Sequence, residues 1–297
     1  MNIRLNPLVV RELRGGLRGG RRIALLTFCL TVLGLFFFGA YAVASATLAA
    51  GGGGTGYAVG SAFFPMVVGV ELFFVCVITP AQTAGAIVSE RERHTYDVLL
   101  VTPLTPIQIV LGKLVSSLAY MLLLLIAALP IESLAFLMGG VDPDELLLAS
   151  LLLLGTLVFF GSVGLWASTV FRGSRAATAF AYAMSGLLTL GLPVMALFVS
   201  PLMGSLAISY PTLLEQPPPW LIYTGELLAA SNPWLSAALT EAQLQAGLPL
   251  IWFPQTLGKT NVDLPGIWLV FLLFYALGSL LCLLAAARSV RRRRAGT

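Results

Sequence analysis

Six long apolar runs, separated by short polar segments, constrain this chain more than any other feature of its sequence. Each run is long enough for a helix of about 20 residues, the length that crosses the hydrocarbon core of a bilayer. The runs lie, to within a few residues, at 23–46, 59–79, 114–138, 146–171, 176–199 and 266–287. We therefore expect an all-α membrane protein whose six transmembrane helices form a single transmembrane domain over residues 1–297.

The composition excludes the soluble classes of protein. Hydrophobic residues make up 58% of the 297 residues and charged residues only 10%, whereas an average soluble domain is about 25% charged. The mean hydropathy is +0.93. The three cysteines all lie in apolar runs and have no metal-ligand spacing, which is typical of buried thiols. A soluble enzyme and a disulfide-stabilised secreted domain are both excluded.

The basic residues predict the orientation of the chain. Six of them precede the first run, three lie between the second and third, two between the fourth and fifth, and five follow the sixth. If all six runs cross the membrane, these four segments lie on the same side of it. That side then carries 16 of the 17 basic residues, and Lys259 lies on the opposite side. An excess of Lys and Arg marks the cytoplasmic side. We expect both termini in the cytoplasm and a basic C-terminal tail that binds anionic membrane lipids and no nucleic acid.

Residues 1–22 are expected to form an interfacial helix. Asn6 followed by Pro7 is a helix-start pattern, and a stripe of arginines runs beside an apolar face formed by Val10, Leu13 and Leu17. Such a helix lies along a membrane surface. A cleaved signal peptide ending near 44–46 is the alternative, but the apolar run exceeds the roughly 7–15 residues of a signal sequence.

The densest cluster of charge lies between the second and third runs. Ser89 and Glu92 have the spacing of a capping box, in which two side chains bond the backbone at the start of a helix. A Thr-Pro pair at 102–103 stops a helix. We expect a short charged helix over 89–100, with a solvated loop as the alternative, and a new helix starting at a second capping pattern, 105–108.

Motifs in and around this segment resemble the membrane subunit of type-2 ABC exporters. That family commonly reads S-x-E-R-E-x-x-T, then L-L, a T-P-L turn and a G-K pair. The chain has the run Ser89-Glu90-Arg91-Glu92-Arg93-His94-Thr95, which lacks the residue between Ser and Glu, then Leu99-Leu100, Thr102-Pro103-Leu104 and Gly112-Lys113. The N-terminal residues 6–14 and the turn at 171–175 are also similar to the family.

The resemblance implies a mechanism. The helix over 89–100 corresponds to a coupling helix that docks on a separate ATP-binding subunit, and the residues that map onto the motif are Glu90, Arg91, Glu92, Arg93 and Thr95. Two ATPase subunits and a second permease subunit, in a homodimer or a heterodimer, are the implied partners. The implied location is a prokaryotic inner (plasma) membrane, the implied direction is export, and the chain itself is expected to catalyse no reaction.

Two acidic residues fall inside the apolar runs. Glu71 lies near the middle of the second run, where an ionised carboxylate is costly and faces protein or water. It is either a substrate or proton contact in the translocation path, or a neutral carboxyl group bonded to a neighbouring helix. Glu132, near the outer end of the third run, is expected to reach the lipid headgroups and to have a structural role.

No catalytic or cofactor site is expected. His94 is the only histidine, which excludes a multi-histidine metal site, and the sequence before Lys259 lacks the first glycine of a P-loop. A stand-alone ion-coupled carrier that uses Glu71, or a polytopic scaffold, is the alternative to the permease. The segment 200–265 holds prolines and tryptophans that favour short helices on the outer side, with an irregular cap as the alternative.

Overall fold

The computed structural model describes residues 20–49, 56–95, 105–137, 140–209, 217–257 and 260–294. Within these ranges six helices are long and apolar enough to cross a membrane, which confirms the expected fold class and number of spans. The long helices are α1 (Gly20–Ala49), α2 (Gly56–Ala84), α4 (Pro106–Leu137), α5 (Pro143–Val170), α6 (Ser174–Ser209) and α9 (Ile267–Arg294). The shorter elements are α3 (Val88–Glu92), α7 (Pro219–Ser231), α8 (Pro233–Gln245), β1 (Trp252–Leu257) and β2 (Thr260–Pro265).

Helix α4 begins at the start signal that the sequence predicts. The backbone N–H of Thr105 donates to Oε1 of Gln108 at 2.9 Å, and the N–H of Gln108 donates to Oγ1 of Thr105 at 3.4 Å. These bonds satisfy backbone groups that a helix start leaves without an intrahelical partner. The capping box at 105–108 is therefore confirmed, and Pro106 is the first helical residue.

The chain forms two compact units, of which the first comprises residues 1–183 and 277–297. Its centre is α2, which packs against α5, α4 and α1. The packing against α5 is close at Gly164, where an added Cβ atom would overlap the hydroxyl oxygen of Thr83 and lie 3.2 Å from the carbonyl oxygen of Pro80. Glycine allows this approach because it has no side chain.

Small residues fill the first unit where α2, α3, α5 and α6 meet. Phe171 and Phe180, whose ring centroids lie 5.3 Å apart, cover a buried cluster of Ala84, Val88, Ala167, Ala177 and Ala181. Alanines let the helix backbones approach closely, as they do in membrane proteins generally. The C-terminal end of α5, the N-terminal end of α6 and the segment that contains α3 thereby come within hydrogen-bonding distance of one another.

The second unit comprises residues 184–276. Asn232 organises part of it, because its side-chain oxygen caps α8 by accepting from the N–H groups of Trp234 and Leu235 at 2.9 and 3.1 Å. Its amide donates to the carbonyl oxygen of Thr189 on α6 at 2.9 Å. A single buried side chain therefore joins α6 to the start of α8.

The segment after α8 contains an antiparallel hairpin that the sequence did not predict. Strands β1 and β2 pair from Trp252 opposite Pro265 to Leu257 opposite Thr260. Prolines 254 and 265 lie within the two strands, and proline is normally a sign against a strand. Both strands of a two-stranded hairpin are edge strands, where proline is tolerated. The prolines therefore concealed the hairpin in a segment for which the sequence favours short helices, with an irregular cap as the alternative.

Some predictions fall outside the described residues. Residues 1–19 of the expected interfacial helix, residues 96–100 of the expected coupling helix and the stop signal at 102–103 are among them.

Candidate functional site

The charged segment 87–95 is anchored at its start to α5. The backbone N–H groups of Ile87 and Val88 donate to the hydroxyl oxygen of Ser168, at 2.8 and 2.9 Å. All three residues are fully buried. Ser168 thus satisfies two N–H groups at the start of α3, where a helix has no internal acceptors. A buried hydroxyl group fixes the position of the 87–95 segment on α5.

Arg91 caps the C-terminal end of α5. Its Nη1 donates to the carbonyl oxygen of Phe171 at 2.8 Å, and its Nη2 donates to those of Thr169 and Ser168 at 2.8 and 3.2 Å. The last carbonyl groups of a helix have no intrahelical donor and carry partial negative charge. The guanidinium group therefore supplies both the missing donors and a compensating charge.

Glu92 bonds the start of the next helix in a complementary way. Its carboxylate accepts from the backbone N–H of Ser174 at 2.8 Å and from the Ser174 hydroxyl at 2.6 Å. Ser174 is the first residue of α6, and a negative charge is favourable at a helix N-terminus. The neighbouring residues Arg91 and Glu92 together hold the turn between α5 and α6.

Glu90 connects the segment to a third helix. Its Oε1 forms an ion pair with Nζ of Lys113 on α4. The Lys113 side chain is 6% exposed and that of Glu90 22%. A lysine almost never lies this deep in a protein unless its charge is paired. The 87–95 segment is therefore tied to α4 as well as to α5 and α6.

The helix expected over 89–100 ends at Glu92, and the predicted capping box does not form. The N–H of Ser89 donates to the carbonyl oxygen of Gly85 at 3.1 Å, so Ser89 lies inside the helical turn rather than at its cap. The carboxylate that would complete the box is bonded to Ser174 instead. His94 has a φ of 57°, a left-handed conformation that turns the chain out of the helix.

Arg93, His94 and Thr95 are the exposed end of the segment. The N–H groups of Arg93 and Thr95 donate to the carbonyl oxygens of Ser89 and Glu90, at 3.1 and 2.9 Å. The backbone of the turn is therefore ordered, and the Thr95 hydroxyl also donates to the carbonyl oxygen of Glu90 at 3.2 Å. Of the five residues that the motif predicts for partner contact, Glu90, Arg91 and Glu92 bond other helices through their side chains, and Arg93 and Thr95 lie at the exposed end of the segment.

The structure brings the scattered family-like motifs into one cluster. Lys113 of the G-K pair, and Phe171 and Ser174 of the turn at 171–175, are the direct partners of the charged run. Ser168 carried no signal in the sequence, because a serine in an apolar helix has many structural uses.

Glu71 and Glu132 face each other between α2 and α4. Each is 1% exposed, and their carboxyl groups interact directly. The expectation that Glu132 reaches lipid headgroups is wrong, because its side chain lies on the face of α4 that packs against α2. Among the described residues no group of three or more His, Cys, Asp and Glu side chains is placed to hold a metal ion.

Comparison with known proteins assigns the family. The family model described as ABC-2 family transporter protein matches residues 21–287, a range that extends from the first turn of α1 into α9 and contains the charged cluster. No curated protein is similar enough to match the chain. Permeases of this family are membrane subunits without catalytic activity of their own and generally work with an ATPase subunit. The chain therefore belongs to the ABC-2 family of transporter proteins and is a multi-pass membrane permease subunit of an ABC transporter.

Proposed function

We propose that this permease belongs to an ATP-driven exporter and that its 87–95 segment transmits movement from a separate ATPase subunit. The observation that carries the proposal is the set of bonds that fixes this segment to three helices while its end stays exposed. Glu90 is bonded to α4, Arg91 to α5 and Glu92 to α6. A displacement of the segment is thereby passed to all three helices.

The residues of the motif divide into two roles. Arg93 and Thr95 are exposed and contact the surface of the ATPase subunit, where charge complementarity sets the orientation of the two proteins. Glu90, Arg91 and Glu92 are positioning residues that act through their bonds within the chain. Residues 96–100 extend the contact surface in the proposal.

The assembly consists of two such permease subunits, identical or different, and two ATPase subunits. The distribution of basic residues supports a cytoplasmic location for the 87–95 segment, the turn at 171–175 and both termini. The family resemblance supports a prokaryotic cell membrane. Five arginines near the C-terminus, from residue 288 onward, contact anionic lipids in this proposal.

Co-purification with the ATPase subunit tests the proposal. Charge reversal at Glu90 or Glu92 is a poor test, because both carboxylates hold the permease together. Arg93→Glu is better, and it is expected to abolish co-purification while the permease remains folded. Arg172→Glu, which also reverses an exposed charge, is the matched control and is expected to retain the ATPase.

The outcomes separate the parts of the proposal. A wild-type permease that purifies without an ATPase from cells that express both would contradict the ATPase partnership. Retention of the ATPase by a folded Arg93→Glu variant would contradict only the contact role of Arg93. ATP-dependent transport into, rather than out of, the cell would contradict export.

A role for Glu71 in the translocation path is a separate proposal. Glu71→Gln in the assembled transporter is expected to lower ATP-dependent transport and to leave assembly unchanged, and unchanged transport would remove the residue from the path. The buried acid pair also supports the second candidate function, an ion-coupled carrier. Proton flux into vesicles that contain the purified chain alone would favour the carrier over the ATP-driven exporter.

A further inference from the structure

Glu71 on α2 and Glu132 on α4 form a buried pair of acids. The two side chains are each 1% exposed, and their carboxyl groups interact with each other. Both carboxyl oxygens of Glu71 and Oε2 of Glu132 are fully enclosed and receive no hydrogen bond from any other described residue. Three of the four oxygens of the pair are therefore cut off from water and from other polar groups.

Among the residues that the structure describes on the helices packed around the pair, no basic side chain is placed to neutralise it. Helix α2 packs against α1, α4 and α5, and neither α2 nor α5 contains Lys, Arg or His. The basic residues of α1 are confined to its first turn, and Lys113 on α4 is paired with Glu90. The other titratable residues on these four helices are Cys29, Tyr41, Tyr57, Cys76, Tyr120, Asp144 and Glu145, none of which carries a positive charge.

Two ionised carboxylates cannot share such a site. Burying an uncompensated charge in an apolar protein interior costs on the order of several kcal/mol. A second negative charge in contact with the first adds electrostatic repulsion. Protonation of one carboxyl removes both penalties, because its O–H then donates to the neighbouring carboxylate. Adjacent acids that share one proton are known from enzymes.

We infer that Glu71 and Glu132 form a proton-binding site that holds at least one proton at neutral and mildly alkaline pH and joins α2 to α4 through a carboxyl–carboxyl hydrogen bond. The site takes a proton and no metal ion. Loss of the proton leaves two negative charges in contact, which separates α2 from α4 or admits water. Because α2 leads directly into the 87–95 segment, the proton acts on the helix that carries that segment. The inference does not depend on an ATPase partner.

Infrared spectroscopy of the purified full chain tests the site. A protonated carboxyl group has a C=O stretching band that is separate from that of a carboxylate and shifts in D2O. We expect this band in the wild type at about pH 9, where Glu226, with a pKa of about 7, is ionised. The band is expected to disappear in the Glu71→Gln/Glu132→Gln double variant and to remain in Glu226→Gln.

Each other outcome overturns the inference. Absence of the band in the folded wild type means that both carboxyl groups are ionised, and loss of the band on addition of Na⁺ or Ca²⁺ means that the site prefers a metal cation. A band that persists in the double variant belongs to other residues. If the double variant does not fold, the single variants Glu71→Gln and Glu132→Gln must each shift the band, and an unchanged band in both contradicts the pairing.

Discussion

The guanidinium group of Arg91 lies 2.8 Å from the carbonyl oxygen of Phe171, so that a side chain from the segment after α2 closes the end of α5. The next residue, Glu92, bonds the first residue of α6. The positive charge thus meets a helix C-terminus and the negative charge a helix N-terminus, which is the favourable pairing with the dipoles of both helices. The charged run is therefore part of the permease's own framework before it contacts any partner.

Replacement of Arg91 is expected to destabilise the permease. Arg91→Ala removes three charge-assisted hydrogen bonds from the carbonyl groups at the end of α5, which costs on the order of 2 kcal/mol. Arg91→Lys is expected to rescue only part of this loss, because an ammonium group cannot reproduce the planar fork of donors. Thermal unfolding of the purified protein in detergent measures the effect.

The matched control for Arg91 is its exposed neighbour. Arg93→Ala is expected to change stability by less than about 0.5 kcal/mol, as surface substitutions usually do. Equal unfolding temperatures for Arg91→Ala and the wild type would contradict the role of Arg91 in holding α5.

Glu92 and Ser174 are expected to behave as an interacting pair. Glu92→Gln and Ser174→Ala should each lower the unfolding temperature, since each removes part of the bonding at the start of α6. In the double variant the second change should have a smaller effect than it has alone, because the first has already weakened or removed the bond between the two side chains. Additive effects of the two substitutions would show that the pair does not interact in solution.

Local signals were predictable from the sequence, and bonds between distant residues were not. The capping box at Thr105 and Gln108 was found because both partners lie within one turn of helix. The similar pattern at Ser89 and Glu92 was misleading, because the partner of Glu92 is Ser174, 82 residues away. Tertiary packing decides which of two such partners Glu92 bonds, and a local sequence pattern contains no information about that packing.

The buried acid pair illustrates the same limit. Glu71 was recognisable because a charged residue in the middle of an apolar run is costly. Glu132 was interpreted from its depth in the third run alone, and depth does not show which face of a helix packs against a neighbour. The six long helices, by contrast, follow from apolar length, which needs no tertiary information.

The close packing of α2 and α5 predicts a large effect at Gly164. Gly164→Ala places a Cβ atom against Thr83 and 3.2 Å from the backbone at Pro80 and Ala84, and overpacking of this kind typically costs about 1–3 kcal/mol. Gly34→Ala is the control, because no described atom lies within 4 Å of its added Cβ. Thermal unfolding should separate the two variants, and a Gly164→Ala protein as stable as Gly34→Ala would contradict the close approach.

The second unit is expected to lose stability as the pH rises, through Glu226 on α7. Burial raises the pKa of this carboxyl group from an ordinary value of 4.5 to about 7, so the folded state binds the proton more tightly than the unfolded state. The stabilisation is full below about pH 4.5 and is lost as the pH rises through about 7. Glu226→Gln stays neutral, so it should unfold at a higher temperature than the wild type at pH 8, and the difference should shrink towards pH 4.5. Asp263→Asn, at an exposed position, serves as the control, and identical pH profiles for Glu226→Gln and the wild type would contradict the burial of the Glu226 carboxyl group.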